Sequence, residues 1–137
     1  MGRILSIDFG ARRTGLAVTD PLKIIASALD TIDTHHLYEF LKKYVVEAQV
    51  EKIIIGYPLN LDDTPTHATA LVEAAIKRLN KLFPQVPVEK VDERFSSRRA
   101  SEAMFEMGMK KKDRRKKGNT DQIAATLLLQ EYLNVPR

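Results

Sequence analysis

The chain contains no cysteine among its 137 residues, which removes disulfides, thiolate chemistry and cysteine-zinc sites. It has no long apolar run, whereas a helix crossing a bilayer takes about 20 predominantly apolar residues. The opening MGRILSIDFG reaches Asp8 too soon for a signal-peptide core, so the expected address is cytoplasmic, with no membrane partner. No internal repeat or linker interrupts it, and its length suits a single domain, residues 1–137, too short for two lobes closing on a cleft. His35, His36 and His67 lack a metal-ligand spacing and are assigned no role. The turn Gly56-Tyr57-Pro58-Leu59-Asn60 lacks the lysine of a phosphate-binding P-loop, and Tyr57 is expected to pack in the core rather than stack on a base.

What is present is an ordinary globular composition, 44% hydrophobic and 29% charged. The net charge of +4 comes from 22 basic and 18 acidic residues, too small an excess to argue for a polyanionic partner by itself. Its distribution says more. GMKKKDRRKKGN, between Met107 and Thr120, holds seven basic residues against one acid, which suggests contact with a phosphate backbone, the alternative being a solvated loop.

The chain is organised around ILSIDFGARRTGLAV, Ile4 to Val18, read as a β-hairpin whose first strand is buried and ends in a carboxylate, Asp8. An acid there is costly to desolvate unless a metal ion, an arginine or backbone donors meet it. Asp8 thus reads either as a ligand of a divalent cation or as a partner of Arg12 or Arg13. Lys23 to Ile32 completes a meander. Asp33 or Thr34 then caps a helix with Leu37, Phe40, Leu41, Tyr44, Val45 and Ala48 at helical spacing. Glu51 to Tyr57 reads as a buried parallel strand after a crossover, and a helix from about Thr66 to Leu82 puts Ala68, Leu71, Val72, Ala75 and Leu79 on one stripe. Pro87 to Val91 is the fifth strand, running into Asp92-Glu93-Arg94. Ser96 or Ser97 begins a third helix with Ala100, Ala103, Met104 and Met107, and Asn119 caps a last one with Ile123, Ala124, Leu127 and Leu128 on its apolar side.

This order gives an α/β fold with a mixed five-stranded sheet, a three-stranded antiparallel meander plus two parallel strands, flanked by helices. Ligands of such sheets bind beyond the carboxyl ends of the parallel strands, where Asp8, Asp92 and Glu93 fall. Asp121, in the first turn of the last helix, shares a face with Ala124, Ala125 and Leu128 and can join them. Converging acids repel one another unless a cation sits among them, which implies Mg2+ or Mn2+. With phosphate present, two such ions about 4 Å apart support nuclease chemistry. Arg13 and Arg94, ahead of Arg98 and Arg99, are candidates to fork onto phosphate oxygens. Lys111, Lys112, Arg114 and Arg115 are candidates to hold a strand.

With Asp8-Phe9-Gly10-Ala11-Arg12-Arg13-Thr14-Gly15-Leu16-Ala17, Ile55-Gly56-Tyr57-Pro58, Val91-Asp92-Glu93-Arg94-Phe95-Ser96-Ser97 and Asp121-Gln122-Ile123-Ala124-Ala125 in that order, the chain resembles the YqgF (RuvX) family over nearly its whole length. The family is described as Holliday-junction resolvases and as pre-16S rRNA nucleases. The resemblance implies a ribonuclease H-like fold and a cytoplasmic, metal-dependent nuclease with acidic site residues on Asp8, Glu93 and Asp121, Asp92 remaining the alternative to Glu93. The expected partner is nucleic acid, RNA ahead of branched DNA, and the expected state a monomer or weak homodimer. Non-catalytic nucleic-acid binding is the competing function. Two departures stand out: Thr14 replaces an aliphatic residue, and Leu61-Asp62-Asp63-Thr64 lacks a common glycine. An Asp-x-Gly hairpin also opens sugar kinases and actin-like ATPases, which need a second lobe.

Overall fold

A computed structural model describes residues 2–58, 64–92 and 117–134, with only the backbone at 117–121 and 134. The strands are β1 (Arg3–Asp8), β2 (Arg13–Thr19), β3 (Ala26–Asp33), β4 (Val50–Tyr57) and β5 (Val88–Asp92). The helices are α1 (Leu37–Glu47), α2 (His67–Leu82) and α3 (Lys117–Asn134), with a 3-10 turn at Thr34–His36 before α1. The five strands form one sheet in the order β3-β2-β1-β4-β5. β1, β2 and β3 pair antiparallel, and β4 and β5 continue the sheet parallel to β1. This is the mixed sheet expected from the sequence, with β1 at its centre.

The aliphatic strands are buried because both sheet faces are covered. Leu5, Ile7, Leu16, Ile53 and Ile55 pack with Leu37, Leu41 and Val45 of α1 and Val72, Ala75, Ile76 and Leu79 of α2. The opposite face offers Ile4, Ala17 and Ile54 to Ala125, Leu129 and Tyr132 of α3. Each large aliphatic side chain buried here stabilises the fold by roughly 1.5–3 kcal/mol. Ser6 and Ala17, partners across β1 and β2, are small, so α3 comes close enough for the Ser6 hydroxyl to donate to the Ala125 carbonyl at 2.7 Å.

Several boundaries differ from the sequence reading. β3 begins at Ala26 rather than Lys23, because the Asp20 carboxylate gathers the N–H groups of Leu22, Ile24 and Ile25 into a loop that Lys23 completes at φ 60°. Neither Asp33 nor Thr34 caps α1 with its side chain. The Thr34 hydroxyl is engaged instead by the Gly10 carbonyl and by Thr14. On α2, Thr66 forms a capping box with Thr69; Thr69 and Ile76 join Val72, Ala75 and Leu79 on the buried face, while Leu71 and Ala68 are exposed. β5 is displaced by one residue and includes Asp92. α3 begins at Lys117, so Asn119 lies inside it rather than at its cap. Its buried side chains are Ala124, Ala125, Leu128, Leu129 and Tyr132, with Ile123 and Leu127 only half-buried. The expected helix from Ser96 or Ser97 to Met107 lies outside the described residues.

Candidate active site

Side chains alternate across a strand, and that alternation assigns each acid a face. Leu5 and Ile7 face α1 and α2, whereas Ile4 and Ser6 face α3. Asp8 therefore belongs to the α3 face. It is half-buried, at the end of the central strand. Its partner on β2 is Gly15. On the other side, one residue beyond the Ile7–Ile55 pairing, lies Gly56 of β4. Asp8 is thus flanked on both neighbouring strands by residues without side chains.

The hairpin turn holding Asp8 is tight. A Cβ added to Gly10 would lie 2.4 Å from the Arg13 carbonyl oxygen, so only glycine fits there. Thr14, the departure from the family pattern, is fully buried, its hydroxyl 2.9 Å from that of Thr34. Arg13 opens β2 opposite Asp33 and by alternation with Gly15 and Ala17 shares the Asp8 face. It is half-buried beside an open cleft of about 410 Å³ lined by Ala11, Arg12, Arg13, Asp33 and His35.

α3 runs antiparallel to β1. Its Ala125 carbonyl meets Ser6, and seven residues later Tyr132 meets Lys52, whose register partner is Ile4. Asp121 precedes Ala125 by four residues, a helical rise of about 6 Å, and Asp8 follows Ser6 by two, a strand rise of roughly 6.6 Å. The backbone at Asp121 therefore stands level with Asp8 on the same face of the sheet.

Asp92 goes the other way. Val91 packs on the α3 side, while Lys90, two residues before Asp92, reaches Glu73 of α2 at 3.0 Å. Asp92 accordingly lies on the α2 face, opposite Asp8. Glu93, Arg94, Lys111, Lys112, Arg114 and Arg115 lie outside the described residues.

One feature of this edge escaped the sequence reading. The Tyr57 hydroxyl donates to Glu73 at 2.5 Å, and Lys90 lies 4.6 Å above the Tyr57 ring while also bonding Glu73. The Tyr57 hydrogen bond and then the Lys90 ammonium hold the Glu73 carboxyl below its ordinary range. Hydrogen bonding to Glu73 in turn pushes the Tyr57 phenol up. The network ties the end of β4 to α2 and β5, and the wide spacing of its members along the chain hides it from local pattern.

Asp8 offers carboxylate oxygens, which are donors of hard divalent cations. A central strand ending in an acid, a meander on one side, parallel strands on the other and a helix laid across the acid's face define the ribonuclease H-like class. T. thermophilus RuvC in complex with a Holliday junction substrate superposes with a TM-score of 0.57 at 15% identity, over 98% of this chain and 97% of that one. A second Thermus thermophilus RuvC structure gives 0.52 at 13%, over 92% of each.

The chain belongs to the RuvX family, described as Holliday junction resolvase, whose model matches residues 2–135. Relatives named "Putative pre-16S rRNA nuclease" are 46% identical over 97% of this chain and 98% of theirs in Christiangramia forsetii, and 47% identical over 97% and 96% in Phocaeicola vulgatus. One in Flavobacterium johnsoniae is 44% identical over 100% and 99%.

Proposed function

We propose that the protein is a cytoplasmic single-domain nuclease, monomeric or weakly dimeric, that hydrolyses phosphodiester bonds in precursor 16S ribosomal RNA with Mg2+ or Mn2+ held by Asp8, Glu93 and Asp121. The observation that carries this reading is Asp8 at the end of β1, flanked by Gly15 and Gly56, with the α3 backbone at Asp121 level with it. Asp92 faces α2, which favours Glu93, the next residue, as the third acid. Divalent ions bound there supply an activated water and stabilisation of the leaving oxygen. Arg13 and Arg94 orient phosphate oxygens through forked hydrogen bonds, and Lys111, Lys112, Arg114 and Arg115 recruit the strand through its phosphates.

The relatives' name favours RNA, and the family description and the RuvC likeness favour branched DNA as the second substrate. Purified protein is incubated with precursor 16S rRNA ends and with four-way DNA junctions, each with Mg2+, Mn2+ or EDTA. Metal-dependent cleavage of the RNA is expected. Cleavage of the junction alone transfers the proposal to DNA, and binding without cleavage of either leaves a nucleic-acid scaffold.

A further inference from the structure

The end of β3 and the turn after it gather three metal-binding side chains that the sequence spacing did not suggest. Asp33, His35 and His36 each offer a ligand atom within 4.8 Å of the others. The two imidazole centroids are 4.0 Å apart, and all three residues are exposed. The backbone beneath them is anchored at Thr34. Its N–H donates to the Arg12 carbonyl at 2.9 Å, and its hydroxyl donates to the Gly10 carbonyl at 2.6 Å and lies 2.9 Å from the Thr14 hydroxyl. The cost of assembling the cluster is therefore confined to side-chain rotamers.

Two imidazoles and one carboxylate are the donors of zinc and of the transition ions that resemble it, whereas magnesium prefers oxygen alone. Bonds of 2.0–2.1 Å in tetrahedral geometry space the ligands by about 3.4 Å. From separations within 4.8 Å the three side chains close by at most about 1.4 Å, which rotation about exposed χ angles supplies. Asp33 and His35 also line the cleft that holds Arg12 and Arg13, so an ion here borders the candidate phosphate-binding surface. We propose that Asp33, His35 and His36 form a binding site for a zinc-like divalent transition ion, separate from the acidic site at Asp8.

Co2+ added to the full chain serves as a spectroscopic probe. The expected result is visible d–d absorption that saturates at one equivalent per chain, withstands millimolar Mg2+ and is retained by Asp8→Asn. It is lost in the His35→Ala/His36→Ala double variant, whose far-UV circular dichroism matches the parent because both positions are exposed. Imidazole resonances of His35 and His36 broaden, and those of His67 do not. Binding that survives the double substitution, binding that disappears in Asp8→Asn, equal broadening at His67 or no binding at micromolar protein each overturns the site.

Discussion

At the scale of single residues, Asp8 stands one position past the last aliphatic side chain of β1 and on the face of α3. Asp8→Asn keeps the shape and removes the charge that the proposed site uses to hold a metal. We expect it to abolish metal-dependent cleavage with an unchanged melting temperature. An acid serving only to balance a buried guanidinium would instead show destabilisation of roughly 3 kcal/mol or more with cleavage retained. Glu93→Gln should abolish cleavage and Asp92→Asn should leave it, since Asp92 faces α2; equal small effects would remove Glu93 from the site. Asp20 yields a pH-dependent prediction. The N–H of Ile25, first among its backbone donors, holds its carboxyl below the ordinary aspartate value. A lowered folded-state pKa stabilises the loop at pH above the ordinary value, and that contribution is lost as pH falls through the lower, folded value. The amide resonances of Ile24 and Ile25 should therefore titrate together, with a midpoint below that of an ordinary aspartate. A midpoint at or above it would mean that the carboxylate does not organise the turn.

Among the elements, α3 matters most, because it brings Asp121 to the level of Asp8. Its approach depends on Ser6, Ala17 and Ala125, each fully buried. Ala125→Leu inserts three carbons into that contact. It should cost about 1–3 kcal/mol and reduce cleavage, because the helix must lift or rotate at the end that carries the acid. Tyr132→Phe provides the contrast: it removes hydrogen bonds to Lys52 and Glu89 at the far end of α3. A stability loss of about 1 kcal/mol with unchanged cleavage is expected. Denaturant melts and single-turnover cleavage measure both effects. Full activity in Ala125→Leu would contradict the close docking of α3 as the source of the site.

For the whole molecule, the small net charge conceals a basic run, 108–119, immediately before Asp121. Replacing Lys111, Lys112, Arg114 and Arg115 with alanine should weaken binding of all sequences alike. It should also flatten the log-log salt dependence by about 2–4 units, since each phosphate contact contributes roughly −0.7 on single strands and −0.9 on duplex. Cleavage at saturating substrate should change little if the run only recruits. An unchanged salt slope would assign these residues to solvent and move the binding surface to Arg12 and Arg13.

The sequence by itself determined the order of the described strands and helices. Runs such as Glu51 to Tyr57, and helical spacing such as Leu37, Leu41 and Val45, are local periodicities that the chain carries whatever packs against it. It likewise determined that Asp8 ends a buried strand and that Asp92 falls at the end of a parallel one. Periodicity could not say where strands yield to turns held by a side chain, as at Asp20, or on which face of the sheet Asp92 falls. The tertiary structure decided those points. The flanking of Asp8 by Gly15 and Gly56, the turning of Asp92 toward α2 and the Tyr57–Glu73–Lys90 network all follow from hydrogen-bond register and helix docking. A one-residue change of register would send each strand side chain to the opposite face, so these neighbours exist only once segments far apart in the chain have paired.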